Sequence, residues 1–91
     1  MERLHIIATG KVQGVYFRAG AQEKALSLGL TGFVKNRDND SVELIAEGEQ
    51  DALEELLMWC SKGPKDAKVK DMEFAWEDFA GEFSEFEIIR D

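Results

Sequence analysis

The segment GKVQGVYFRAG, residues 10–20, connects a stretch of strand character to a stretch of helical character. Leu4–Ala8 before it is typical of a buried strand, and Ala21–Leu26 after it has helical spacing. A loop that enters a helix carries unpartnered main-chain N–H groups at the positive end of the helix dipole. Gly10 and Gly14 let such a loop curl until several N–H groups face one point. The segment therefore predicts a site for an oxyanion, phosphate above all.

Arg18 lies at the predicted junction of this loop with the helix. Its guanidinium group offers a planar fork of donors that suits two phosphate oxygens. The alternative is an ordinary strand-to-helix connection with one surface arginine. Loops that contain glycine are common, so the spacing alone leaves both interpretations open.

Hydrophobic periodicity predicts two helices and five strands. We expect strands at Leu4–Thr9, Gly32–Asn36, Ser41–Glu47, around Met72–Trp76 and at Phe83–Ile89, with helices at Ala19–Leu28 and about Gln50–Lys62. The order is βαββαβ, with the last helix followed by a hairpin-like pair of strands. This pattern predicts a ferredoxin-like α/β sandwich, in which an antiparallel sheet carries two helices on one face. Residues 1–91 are expected to form a single domain.

The alternation within the predicted strands assigns their faces. Val42, Leu44 and Ala46 should face the core, while Glu43 and Glu47 should face out. In the fourth strand Val69 is out of phase with the apolar positions that follow, which predicts a bulge or a late start near Lys70. Between the second and third strands, the run RDND at 37–40 has hairpin-turn chemistry.

Charge and composition limit the function. The chain of 91 residues has a net charge of −8, which argues against a nucleic-acid binder. Residues 10–37 nevertheless carry five lysines and arginines against Glu23 alone, a net +4, so a small anion would be attracted there. No apolar run is long enough for a membrane span, and the start lacks signal-peptide character. The single cysteine, Cys60, fits a reducing compartment, so we expect a cytoplasmic protein.

Two motifs resemble signatures of the acylphosphatase family. The first is GKVQGVYFR at 10–18, and the second is the Gly-aromatic-Val-x-Asn strand GFVKN at 32–36. Leu28–Leu30, Gly63-Pro64 and Phe86–Ile88 also look like family features, so the resemblance runs over nearly the whole chain. It implies the same βαββαβ fold that the periodicity predicts. The chain departs from the family at 39–40, where Asn-Asp stands in place of the usual Asp-Gly.

The resemblance implies hydrolysis of the carboxyl–phosphate bond of acyl phosphates. Arg18 would bind the phosphoryl group and Asn36 would hold the attacking water. The main-chain amides that would cradle the phosphoryl group are those of Gln13, Gly14, Val15, Tyr16, Phe17 and Arg18. The expected enzyme is a monomer without cofactor or metal, and its partner is a small acyl phosphate, with phosphate or sulfate as competing ligand. We expect no nucleic acid and no membrane as partners.

Two alternatives from another class share this topology: a noncatalytic anion sensor and an RNA-binding module. An RNA-binding sheet needs exposed aromatic residues on its central strands and a basic face, which a net charge of −8 disfavours. A sensor would bind phosphate without turning over an acyl phosphate. The remaining candidates for chemistry have structural interpretations: His5 as a packed or edge-facing residue, Cys60 as a small buried hydrophobe, and the aromatic residues as packing.

Overall fold

The computed structural model describes residues 1–90. It contains five strands and two helices, in the order β1 (Glu2–Lys11), α1 (Phe17–Ser27), β2 (Thr31–Asn36), β3 (Val42–Gly48), α2 (Gln50–Lys62), β4 (Lys68–Glu77) and β5 (Phe86–Ile89). The predicted order and the bounds of α2 are confirmed. Neither helix in this part of the chain combines the length and the apolar character of a membrane span.

The strands form one sheet in the order β4-β1-β3-β2-β5. In the centre β1 runs antiparallel to β3, with Leu4 opposite Ala46 and Ile6 opposite Leu44. These four side chains are fully buried, because both helices pack on their face of the sheet. The ferredoxin-like sandwich with two helices on one face is therefore confirmed.

The sheet differs from the prediction at its last strand. β5 pairs parallel with β2, so β4 and β5 lie at opposite edges and the expected hairpin-like pair is wrong. Residues 78–85 cross the open face of the sheet between these edges. They are held there by Phe83, whose ring meets Phe33 edge-on at 6.0 Å, and by Glu47, which accepts hydrogen bonds from the N–H groups of Ala80 and Gly81. Sequence periodicity does not report such long-range pairing.

Those contacts also correct the prediction for Glu47. The side chain points to the open face as expected, but it is only 1% exposed because residues 78–85 cover it. The other expectations for β3 are confirmed, since Val42, Leu44 and Ala46 are fully buried. The bulge in β4 is also confirmed: Thr9 pairs with Asp71 and Gly10 with Val69, so one residue of β4 is left over.

The two helices meet at a close approach. A Cβ on Gly20 of α1 would lie 2.7 Å from the ring of Trp59 in α2, and the ring of Phe17 meets Trp59 edge-on at 5.3 Å. These aromatic residues pack, as expected. On the edge strand β4, however, Phe74 is 51% and Trp76 40% exposed, so the packing interpretation is wrong for them.

Candidate active site

The crossover loop, residues 12–16, connects β1 to α1 and is held in place by buried side chains. Val12 and Val15 are buried in the core, as is Phe17 at the start of α1. Gly14 and Tyr16 have left-handed backbone, with φ of 73° and 63°. Left-handed residues reverse the direction of the chain, so the loop curls around its own N–H groups.

The N–H groups of this loop and of the first turn of α1 have no hydrogen-bond partner within residues 1–90. No N–H from Gln13 to Ala19 donates a hydrogen bond to a residue that the structure describes. Tyr16 occupies the N-cap position without a side-chain cap, and the first turn of α1 contains no acidic residue. The positive end of α1 is therefore free to bind an anion.

Asn36 is the last residue of β2, opposite Val42 of β3. It lines a cavity of about 420 Å³, here called the main cavity, together with Val12, Gly14, Tyr16, Phe17, Arg18, Ala19 and Arg90. The structure thus brings Asn36 and Arg18 to one cavity. Gln13 and Val15, the other two residues of the predicted site, do not line it.

The side chain of Asn36 has an unusual environment. Its Oδ1 is buried and accepts no hydrogen bond from the described residues. An unsatisfied buried acceptor costs about 1–3 kcal/mol, and native proteins retain few of them. Rotation of the terminal amide about χ2 exchanges Oδ1 with Nδ2 at little change in shape, and so brings an acceptor towards the cavity.

Gln13 connects the crossover loop to the turn that follows Asn36. Its side-chain Nε2 donates to the carbonyl oxygens of Arg37 and Ser41, at 2.8 and 2.9 Å. Sequence analysis assigned only the main-chain N–H of Gln13 and missed this contact. The pairing of a loop with a turn 24 residues later leaves no local signal in the sequence.

The turn that follows Asn36 also has hydrogen bonds of its own. The N–H of Arg37 donates to the carbonyl of Ser41 at 2.8 Å, and the buried Ser41 hydroxyl donates to Oδ1 of Asn39 at 2.5 Å. Asp40 has left-handed backbone, with φ of 64°. An L-residue other than glycine is strained there, so this turn is less stable than one with glycine at position 40.

Arg90 was not predicted as a site residue. It follows Ile89, which pairs with Lys35, so Arg90 and Asn36 are neighbours in the parallel register of β5 and β2. The missed parallel pairing explains the omission, because a hairpin of β4 and β5 would have placed the end of the chain elsewhere.

The other residues considered for chemistry lie away from the main cavity. Nε2 of His5 is 2.6 Å from a carboxylate oxygen of Glu43 on the open face of the sheet. Cys60 is fully buried on the inner side of α2, and desolvation raises the pKa of its thiol to about 12. Within residues 1–90, no three His, Cys, Asp or Glu side chains are grouped closely enough to hold a metal ion.

Comparison with known proteins identifies the family. The family model described as Acylphosphatase matches residues 4–88. The chain belongs to the acylphosphatase family. The match includes both motifs at 10–18 and 32–36, so the resemblance predicted from them is confirmed.

Individual acylphosphatases are similar over the whole length. The acylphosphatase of Pelotomaculum thermopropionicum is 45% identical over 86 residues, which cover 94% of this chain and 94% of the relative. That of Methylococcus capsulatus is 45% identical over 91 residues, covering 100% of this chain and 99% of the relative. The crystal structure of acylphosphatase from Bacillus subtilis has a TM-score of 0.94 at 36% identity, over 99% of this chain and 100% of that chain.

Proposed function

We propose that the protein is an acylphosphatase, which hydrolyses the carboxyl–phosphate bond of acyl phosphates to a carboxylate and inorganic phosphate. The observation that supports this most is that Arg18 and Asn36 line one cavity together with Gly14, Tyr16 and Phe17, whose N–H groups donate to no described residue. Membership of the acylphosphatase family adds the reaction class. The N–H groups supply an anion site, and Asn36 supplies a place for water.

The phosphoryl group binds at the start of α1. The main-chain N–H groups of residues 13–18 donate to its oxygens, and the guanidinium of Arg18 donates two further hydrogen bonds. Phosphoryl transfer passes through a transition state with charge on the equatorial oxygens, so fixed donors accelerate it. Because the donors belong to a loop held by Val12 and Val15, they are oriented before substrate binds.

A water held by Asn36 attacks phosphorus in line with the leaving carboxylate. Oδ1 accepts a hydrogen bond from this water once the amide has turned towards the cavity. The new bond joins the water oxygen to phosphorus, and the bond between phosphorus and the acyl oxygen breaks with its electron pair on the carboxylate. A carboxylate is a weak base, so it leaves without protonation by a general acid. The proton of the attacking water passes to a phosphate oxygen of the substrate.

The two alternatives fit the structure less well. The open face of β1 and β3 presents His5, Ile7, Glu43 and Ile45, and its aromatic and basic residues, Phe33 and Arg3, are engaged by Phe83 and Glu82 of the segment 78–85 that crosses it. This face does not suit RNA. An anion sensor would use the same loop, but it would not need the unsatisfied Asn36 beside it.

We also propose that the enzyme acts as a monomer in the cytoplasm. The free, buried Cys60 is consistent with a reducing compartment. Size-exclusion chromatography with light scattering tests the oligomeric state, and a mass near 10.3 kDa is expected.

The activity is tested with benzoyl phosphate in the presence of a metal chelator. The wild type should release phosphate, and Asn36→Ala should lose at least about 100-fold in kcat while still binding inorganic phosphate. Arg18→Ala should lose both activity and phosphate binding, and Arg18→Lys should recover only part of either.

The bond that breaks is tested in water enriched in ¹⁸O. Attack at phosphorus places the label in inorganic phosphate, whereas attack at the acyl carbon places it in benzoate. Label in benzoate would contradict the mechanism, and binding of phosphate without any turnover by the wild type would favour the anion sensor.

A further inference from the structure

The edge strand β4 has an outer side with which no described strand pairs. Its one neighbour in the sheet is β1, and it is the first strand in the sheet order. No main-chain N–H or carbonyl group of residues 68–77 hydrogen-bonds to a described residue outside the sheet. Unpaired groups along a sheet edge form a template for a further strand. The outer side of β4 can therefore accept an extended segment.

One face of β4 exposes two aromatic rings. Phe74 lies opposite the buried Ile6 of β1, so it is on the helix side of the sheet, and Trp76 is on the same side. At the edge of the sheet these rings are nevertheless 51% and 40% exposed. Neighbouring exposed apolar side chains mark interaction sites. This face therefore offers apolar contacts to a partner.

The other face of β4 is acidic. Asp71, Glu73 and Glu77 lie on the open face of the sheet and alternate with the rings. Glu77 lies 3.6 Å from basic nitrogens of Arg3 and His5, whereas Asp71 and Glu73 form no ion pair with a described residue. Both lysines of β4 lie before residue 71. Residues 71–77 therefore present a row of negative charge along the edge, here called the acidic row.

A cavity of about 290 Å³ lies beside the acidic row. It is lined by His5, Ile7, Glu73, Phe74 and Ala75. The lining combines apolar side chains with the carboxylate of Glu73. Lysine and arginine side chains bury an apolar stem and keep a charged head near polar groups, so this cavity suits one of them.

A second copy of this chain does not suit the edge. Two identical edge strands would pair antiparallel about a two-fold axis. An axis through any residue from 71 to 75 places two acidic side chains directly opposite each other: an axis at Phe74, for example, places Asp71 opposite Glu77. Like charges directly opposite destabilise a strand pair. The acidic row therefore disfavours self-association and favours a basic partner.

We propose that β4 is a docking edge for an extended segment of a partner protein in which basic residues alternate with apolar residues. The segment adds a strand to the sheet through main-chain hydrogen bonds. Its basic side chains face Asp71 and Glu73, and its apolar side chains pack on Phe74 and Trp76. The acidic row attracts such a segment and repels further copies of this chain.

A titration of ¹⁵N-labelled protein with synthetic peptides tests the proposal. The probe is an eight-residue peptide of alternating lysine and valine, blocked at both ends. One control peptide has glutamate in place of lysine, and another has four lysines followed by four valines. The probe should shift the amides of residues 71–77 and slow hydrogen exchange on the outer side of β4. It should bind at least about tenfold more tightly than either control, since each exposed ion pair contributes up to about fivefold.

Variants of single exposed side chains identify the contacts. Glu73→Gln should weaken binding of the probe about three- to fivefold. Trp76→Thr keeps the strand preference of the residue and removes the ring, so it should weaken binding further than Glu73→Gln does. Glu87→Gln is the matched control, because it removes the same charge from an exposed residue of β5 at the opposite edge of the sheet. It should leave the affinity unchanged.

Several results would overturn the proposal. Absence of binding, equal binding of the three peptides, or equal losses in Glu73→Gln and Glu87→Gln would show that β4 does not recognise an alternating basic segment. Shifts confined to amides outside residues 71–77 would place the contact elsewhere. Slow exchange on the outer side of β4 without peptide, together with a doubled mass in light scattering, would assign the edge to a second copy.

Discussion

The side-chain amide of Gln13 donates one hydrogen bond to the carbonyl of Ser41, at 2.9 Å, and another to that of Arg37. Gln13 belongs to the loop that presents the N–H groups, and Arg37 directly follows Asn36. A single side chain thus fixes the distance between the proposed phosphoryl site and the proposed water site. We assign it the role of a positioning residue.

Gln13→Met keeps the length of this side chain and removes both donors. We expect kcat for benzoyl phosphate to fall about 10- to 100-fold, because a small displacement of reacting groups has a large effect on rate. The affinity for inorganic phosphate should change much less, since the main-chain N–H groups remain. Steady-state kinetics and a phosphate titration at a temperature well below unfolding measure both.

Gln13→Glu provides the contrast for that variant. It places carboxylate oxygens against two carbonyl oxygens, so it should be slower than Gln13→Met and less stable. If both variants lose stability and keep the wild-type kcat, then Gln13 serves folding alone and its positioning role is wrong.

Asp40→Gly should stabilise the protein. Asp40 has φ of 64°, a conformation that glycine adopts without steric cost. The gain is partly offset by the greater freedom of glycine in the unfolded chain, so we expect about 0.5 kcal/mol in urea unfolding. Asp40→Ala should destabilise instead. We expect Asp40→Gly to have the same kcat as the wild type. A different kcat would show that the strained turn shifts Asn36 in the wild-type protein.

Local patterns predicted the elements that bury one clear stripe or face. α2 was predicted at its observed bounds because Leu53, Leu56 and Cys60 repeat at helical spacing and are all fully buried. The bulge in β4 was predicted because Val69 broke an alternation of period two. These features are determined by residues close together in the sequence.

The features that were missed depend on contacts between distant residues. The parallel pairing of β5 with β2 requires residues 78–85 to cross the open face, where they are held by a buried Glu47 that alternation alone assigned to solvent. Arg90 was missed for the same reason. The motifs at 10–18 and 32–36 named Arg18 and Asn36, but the contact of Gln13 with the turn requires the folded chain.

Glu47→Ala should destabilise the protein by about 3 kcal/mol. The substitution leaves the N–H groups of Ala80 and Gly81 without their acceptor, and it removes a carboxylate oxygen that lies 3.8 Å from the guanidinium of Arg3. Chemical denaturation measures the loss. Glu82→Ala is the matched control: Glu82 also pairs with Arg3 but is about half exposed, so its removal should cost less than about 1 kcal/mol. Equal losses in the two variants would contradict the role of Glu47.

Cys60 should be unreactive in the folded protein. Burial raises the pKa of its thiol from 9.0 to about 12, so at pH 8 a thiol reagent should modify it only after unfolding in urea. The unfolded thiol ionises at the lower pKa, which means that the unfolded state binds fewer protons above pH 9. The free energy of unfolding should therefore fall as the pH rises from about 9. Cys60→Ala should lack this fall in the free energy of unfolding above pH 9. Rapid labelling of Cys60 in the native protein would contradict the raised pKa.

The central claim is that the main-chain N–H groups of residues 13–18 bind the phosphoryl group with Arg18. A titration of ¹⁵N-labelled protein with inorganic phosphate tests it most directly, with the inhibition constant of phosphate measured under the same conditions. We expect the largest amide shifts at residues 13–18, a dissociation constant equal to that inhibition constant, and loss of the shifts in Arg18→Ala. If phosphate inhibits the enzyme while these amides do not move, the site lies elsewhere and the account is wrong.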